Sequence, residues 1–320
     1  MIIKKLLPII GIAILIYILT TLDGEAIIEM FSSINPWYAL IAFCSIIPVV
    51  LLVNIQWRLI LKRHKIRVSF WYSLKNIFIG YFYGFITPGG FGAYTRAIYL
   101  SDKSGESLQK CFANVLLFNT IDYLALLLLG LIGGFVLSSQ FPNLFPIILV
   151  VFIIILSLLI LFIRKETGKL FFQKLFASKL FYSVKERWNG HIDALYAELP
   201  SFTDVILPFF VSVVGWIVWF SELYLLSFLF NVNVPYIDFI LIIAVANVIA
   251  SIPITIYGLG TREAALIGLF SIYSVSQENV IALSLFWFVL IWLFPSIIGA
   301  GVTLLESKSI KHAAQKKDAK

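Results

Sequence analysis

The stretch Ile86–Arg96 reads ITPGGFGAYTR. It interrupts a chain that is otherwise nearly all hydrocarbon. Gly89, Gly90 and Gly92 with Pro88 break the apolar pattern, and Arg96 closes it. A second stretch, IYGLGTREAA (Ile256–Ala265), does the same late in the chain with Gly258, Gly260, Arg262 and Glu263. How these two interruptions sit in the surrounding apolar runs decides the fold.

The runs themselves exclude a soluble protein. Of 320 residues, 61% are hydrophobic and 13% charged, with a mean hydropathy of +0.98. Soluble domains carry about 25% charge and about 45–50% apolar residues, so this much apolar surface cannot be hidden in one aqueous core. The longest polar interval, Arg164–Asp204, is near the ~40-residue floor for a self-supporting domain. The N-terminal run after Lys4 and Lys5 has no small-x-small cleavage pattern and reads as a retained anchor rather than a signal peptide. Cys44 and Cys111 lack metal-ligand or disulfide spacing. His64, His191 and His312 all fall in polar connecting segments and read as solvated loop residues. No catalytic group, cofactor or metal site is expected, and the chain reads as a non-enzyme.

A ~30 Å hydrocarbon core takes about 20 apolar residues of helix. Six segments qualify or nearly so: Leu6–Leu22, Pro36–Leu61, Cys111–Leu137, Leu144–Ile163, Asp204–Phe230 and Val280–Leu304. Lysine and arginine in short loops mark the cytoplasmic side. Lys4 and Lys5, the run Lys62–Arg67, the basic middle segment and the Lys-rich tail are therefore inside; the loops Ser138–Asn143, Asn231–Asp238 and Ser274–Asn279 are outside. With these assignments, Phe70–Lys110 begins and ends inside, whereas Ile237–Tyr273 begins and ends outside. Neither makes a net crossing. Each is expected to be a re-entrant helical hairpin, turning at TPGGFG and at IYGLG. The limb Phe91–Leu100 spans only ~15 Å at ~1.5 Å per residue, too short to cross.

The expected fold is thus an all-α polytopic membrane protein: about six full spans and two re-entrant hairpins in an inverted repeat. One integral membrane domain covers residues 1–320. Within it, 1–35 is the anchor and 36–137 the first repeat. A connecting span and a cytoplasmic amphipathic segment (Lys169–Trp188 at its centre) fill 138–203, residues 204–305 are the second repeat, and 306–320 form a disordered basic tail. Both termini are cytoplasmic, and the cell membrane is the expected location. The net charge of +7 is explained by this topology and the bilayer surface, not by nucleic acid.

Interrupted helices in inverted repeats are a transporter design in which substrate binds where the breaks meet. Irregular backbone at membrane depth must be buried in protein or line a wet cavity. Glycine permits the turn, and the helix that follows offers free N–H groups and a dipole to an anion. Gly89, Gly90, Gly92 and Arg96, with Gly258, Gly260, Arg262 and Glu263, are therefore the expected substrate-binding residues. Arginine's planar fork suits a phosphate. An equally physical alternative is that Arg262 pairs with Glu263 or Asp122 as a structural lock. Asp122 and Glu222 lie deep in their spans as charge partners or proton carriers, and both roles stay open. Arg58 and Lys75 read as snorkelling toward the interface.

TPGGFGAYTRAIYL, FNTIDYLALLLLG and IPITIYGLGTREAALIGLF together resemble the membrane region of lysylphosphatidylglycerol synthases, a flippase-like integral membrane family with stand-alone members. The resemblance runs from the second span to the last, and the late motif (Pro253, Gly258, Gly260, Arg262, Glu263, Ala264) is its more specific part. Two positions depart. Ala93 stands where relatives often carry Glu, and Phe118-Asn119 stands where they often carry Glu-Arg, while Asp122 keeps the family-like Asp. The resemblance implies translocation or handling of an anionic lipid, phospholipid or polyprenyl-phosphate-linked, by a member without the aminoacyltransferase domain. The alternative is a non-transporting subunit that presents lipid to a separate glycosyltransferase or other transferase.

Overall fold

The computed structural model describes residues 14, 16–163, 203–252 and 258–318. All regular structure among them is helical. The elements are α1 (Gly24–Ser33), α2 (Pro36–Arg63), α3 (Phe70–Phe85), α4 (Arg96–Ser104), α5 (Leu108–Val136), α6 (Leu144–Ile163), α7 (Thr203–Ser227), α8 (Tyr236–Ala250), α9 (Thr261–Phe270), α10 (Gln277–Phe288) and α11 (Phe294–Asp318). A 3-10 segment, Pro88–Thr95, joins α3 to α4, and a π-helical turn, Val289–Leu293, joins α10 to α11. A helix satisfies its own backbone, which is what hydrocarbon demands of a spanning chain.

Among the described residues, five helical stretches are long and apolar enough to cross a membrane: Pro36–Arg63, Leu108–Ser139, Leu144–Leu161, Asp204–Phe230 and Gln277–Glu306. They coincide with five of the six expected spans, and the chain is a multi-pass integral membrane protein. The sixth, Leu6–Leu22, falls mostly outside the described residues, as do the segment Lys169–Trp188 and Pro253. Burial differs among the five. Within the apolar window, 56% of Leu108–Ser139 and 56% of Gln277–Glu306 is buried in protein, against 28% for Pro36–Arg63, 28% for Asp204–Phe230 and 11% for Leu144–Leu161. The first span of each expected repeat is thus lightly covered and the third heavily covered, and α6 presents hydrocarbon almost all round.

The two interrupted runs are pairs of short helices. At ~1.5 Å per residue, α3, α4, α8 and α9 reach about 24, 14, 22 and 15 Å, all below the ~30 Å core.

The chain divides into two compact units. One comprises Met1–Leu51, Trp71–Arg96 and Val218–Lys320; the other comprises Leu52–Phe70 and Ala97–Ile217. In the first unit, Phe78 and Tyr81 of α3 lie against α11. A Cβ on Gly299 would stand 2.0 Å from the Phe78 carbonyl oxygen, and Ser296 Oγ donates to the Tyr81 carbonyl at 3.1 Å. In the second unit α5 packs on α6 through Gly134, whose missing side chain admits the Phe145 backbone. Arg63 pairs with Asp204 at 3.0 Å, tying the end of α2 to the start of α7.

Two expectations change. The basic tail was expected to be disordered, but α11 continues to Asp318. Alanine and lysine are strong helix formers, and lysine near a helix C-terminus complements the dipole. His64 was expected to be a solvated loop residue. It is 2% exposed, because Asn114 of α5 reaches its Nδ1 at 2.7 Å, and the same Asn114 accepts from Trp57 Nε1 at 2.8 Å.

Candidate functional site

The first tip is built on Thr87. This residue is extended (φ −120°, ψ 137°) and ends α3's run. Its hydroxyl donates to the Tyr83 carbonyl at 2.8 Å, or to that of Gly84 at 3.2 Å, and accepts from the Gly92 N–H at 2.6 Å. One side chain thereby fastens the 3-10 segment onto the last turn of α3. Gly90 takes a left-handed φ of 71° to make the turn. Gly92 is required for closeness: a Cβ there would lie 2.0 Å from the Tyr83 carbonyl oxygen. Gly89 lies in the same 3-10 segment.

Arg96 opens α4, and its side chain is folded back over α3. A Cβ on Gly80 would be 3.2 Å from Arg96 Cδ, and Asn76, one turn earlier, donates Nδ2 to the Arg96 carbonyl at 3.0 Å. Arg96 is 4% exposed and Asn76 wholly buried. Ser73, Asn76, Gly80 and Gly84 form a buried small-polar stripe down α3. That stripe, at helical spacing, is the signal that sequence reading passed over, and its members Asn76 and Gly80 meet the carbonyl and side chain of Arg96.

The second tip follows the same plan with different chemistry. Gly258 (φ 76°) and Gly260 (φ 87°) make the turn, and a Cβ on Gly258 would press on Ala250 Cβ at 2.4 Å. Glu263 then reaches back to accept from the Gly260 N–H, which fills the helix N-terminus from within. Arg262 donates from Nη2 at 2.7 Å and from Nε at 3.1 Å to Glu263 Oε1. Ser284 of α10 also donates to Glu263 Oε1, at 2.7 Å, and its hydroxyl accepts from Arg262 Nε at 3.1 Å. The guanidinium lies 5.1 Å from the Trp287 ring centre and 5.6 Å from that of Phe288. Arg262, Glu263 and Ser284 are each at most 1% exposed. Of the two partners open to Arg262 from the sequence, Glu263 is the one it meets. Ser284 and Trp287 carry no sequence signal of their own.

The two deep acids have hydrogen-bond partners of their own. Asp122 Oδ1 accepts from Ser212 Oγ at 2.6 Å, and the Asp122 carbonyl accepts from Trp216 Nε1 at 3.1 Å, joining α5 to α7 within the second unit. Glu222 Oε1 accepts from Ser45 Oγ, while its buried Oε2 has no hydrogen-bond partner among the described residues. Arg58 donates to the Val68 carbonyl at 3.2 Å and stacks over Phe70, and Lys75 meets Glu306 at 3.6 Å. Among the described residues no three His, Cys, Asp or Glu side chains gather as a metal-binding group.

Similarity to known proteins fits this architecture. A family model described as the lysylphosphatidylglycerol synthase TM region matches residues 6–299. A UPF0104 membrane protein of Methanocaldococcus jannaschii is 26% identical over 328 residues, covering 96% of each chain. A UPF0104 membrane protein of Methanothermobacter thermautotrophicus is 22% identical over 322 residues, covering 92% of this chain and 90% of the relative.

Proposed function

The chain belongs to the lysylphosphatidylglycerol synthase TM region family, and from that membership we propose that it translocates or handles an anionic lipid through its two glycine-bearing hairpins. The observation that carries the reading is the repeated placement of an arginine. Arg96 is the first residue of α4 and Arg262 the second of α9, each buried at the start of a helix too short to cross the membrane. Buried cations at membrane depth are costly and mark substrate or ion paths.

The hairpins enter from opposite faces as an inverted repeat, with both termini in the cytoplasm and the cell membrane as the site of action. The two tips divide the work. Arg262 is already neutralised by Glu263, so this pair shapes the Gly258–Gly260 turn. Arg96 takes the phosphate of the head group when the first tip opens, and the Gly89–Gly92 backbone lines that opening. Glu222, whose second oxygen has no hydrogen-bond partner among the described residues, is the proton carrier, and Asp122 ties α5 to α7. The protein acts on lipid position and catalyses no bond change.

The test is reconstitution in vesicles carrying fluorescent phosphatidylglycerol or a labelled polyprenyl phosphate, with movement read by quenching the outer leaflet. Wild type and Lys75→Ala should move the probe, and Arg96→Gln should not. If wild type moves neither probe, translocation is wrong, and a subunit presenting lipid to a separate transferase takes its place.

A further inference from the structure

The last span is tied to both hairpins, at two places separated by a defect. We propose that Val289–Leu293 is a hinge dividing this span into two arms, α10 carrying the second hairpin and α11 carrying the first. The inference goes beyond the lipid reading and does not depend on what the hairpins bind.

The directional ties are segregated along the span. On the α10 arm, Ser284 hydrogen-bonds both Arg262 and Glu263, and Trp287 lies under the Arg262 guanidinium. On the α11 arm, Ser296 donates to the Tyr81 carbonyl, and Gly299 meets the Phe78 backbone so closely that no Cβ fits. These contacts depend on angle or on close approach, so each arm must move with its own hairpin. Ring contacts straddle the turn instead. Phe43 meets Phe286 and Phe294, Trp219 meets Trp287 and Trp292, and Phe85 meets Phe288 at the entrance to the turn. Tilted and edge-on rings can rock against one another while staying buried, as groups near a pivot must.

The turn itself is weak by construction. The Phe294 N–H bonds back to the Val289 carbonyl, five residues earlier, so the ladder is wide there. The next residue is Pro295. Proline has no N–H to give the following rung, and its ring would clash with the carbonyl four residues before it, that of Ile291, in a regular helix. The wide turn relieves that clash and leaves a carbonyl without a ladder donor. A helix bends most easily at such a place.

The test uses full-length protein with Cys44→Ser and Cys111→Ala, in phosphatidylglycerol vesicles, and measures nitroxide distances by double electron–electron resonance. Labels at Gln277→Cys and Leu305→Cys flank the turn, ~42 Å apart at ~1.5 Å per residue. Labels at Leu108→Cys and Ile132→Cys on uninterrupted α5 are the control. The pair across the turn should give two maxima, or a distribution broader than the control. Deleting exposed Val289 together with Pro295→Ala removes the extra residue and the proline clash while keeping both arms in register, and it should abolish that excess width. Should the deletion prevent folding, Pro295→Ala alone, which returns the missing donor, is expected to narrow it. A distribution as narrow as the control in the intact protein, or excess width that survives in whichever variant folds, overturns the proposal.

Discussion

Arg262 Nη2 lies 2.7 Å from Oε1 of Glu263, its neighbour in sequence, and the two side chains are 1% and 0% exposed. Adjacent helical residues do not normally face one another. Here they do because Glu263 bends back to the Gly260 N–H and Arg262 reaches across to the same oxygen. The pair spends its charge inside the protein. Two ions taken out of water are repaid only by good geometry and by additional hydrogen bonds, which Ser284 supplies.

This arrangement predicts an asymmetry between single and double changes. Arg262→Met or Glu263→Leu alone should each cost about 3–5 kcal/mol, because each strands a buried charge. The double variant should be more stable than either single one. Thermal unfolding in detergent, followed by tryptophan fluorescence, reads the order directly. A double variant that is the least stable of the three would refute the ion-pair account. Arg262→Lys should not rescue, since a point charge cannot make the forked contact.

The glycines sort by what a methyl group would meet. Gly92→Ala and Gly258→Ala drive a Cβ into the Tyr83 carbonyl and into Ala250, so both should reach or exceed the upper end of the ~1–3 kcal/mol that overpacking costs. Gly215 and Gly301 are helical with nothing within 4 Å, and alanine there should stabilise by about 0.5–1 kcal/mol. Melting temperatures of the four variants test this, and equal effects across them would contradict it.

Much of this architecture is written in local pattern. Five spans follow from apolar length alone, and both interruptions mark the ends of short helices because glycine and proline act on the backbone directly. The purpose of the glycines is less legible. At Gly92 and Gly258 the missing side chain makes room for the chain's own backbone, a demand visible only once Tyr83 and Ala250 are placed. The stripe Ser73–Asn76–Gly80–Gly84 was readable but hidden among aromatic residues. His64 misled because it follows basic Lys62 and Arg63, while its partner Asn114 lies 50 residues on. The wide turn before Pro295 had only the proline as its signal.

The chain Trp57–Asn114–His64 predicts a specific loss in the second unit. Trp57→Phe strips Asn114 Oδ1 of its donor in a fully buried place, at a cost of about 1–3 kcal/mol, and the smaller ring adds the cost of a void to it. Trp37, 71% exposed, is the matched control, and its change to Phe should leave the midpoint of urea unfolding unmoved. Equal stability of both variants with the wild type would show that the Trp57 bond contributes nothing net.

Glu222→Gln separates proton carriage from structure. The amide oxygen can still accept from Ser45, so the fold and the α2–α7 tie should persist. Lipid movement in vesicles should become independent of a pH difference across the membrane, whereas Asp122→Asn should retain that dependence. The opposite pattern would transfer the proton role to Asp122.

Topology gives the final prediction. Asp102 is exposed in α4 and Gln277 is exposed at the start of α10. On the proposed topology, a hairpin that turns back at Gly90–Gly92 returns its second limb to the face it left, so Asp102 would share the cytoplasmic side expected of basic Arg63 and Lys65. On the same proposal the second hairpin enters from the other face, which would leave Gln277 outside. Single cysteines at these positions, in protein lacking Cys44 and Cys111, should therefore react oppositely with an impermeant maleimide in sealed right-side-out vesicles: Gln277→Cys labels, and Asp102→Cys labels only after lysis. Labelling of both before lysis would mean that α3 and α4 together cross the membrane, and the inverted repeat would fall with the hairpin.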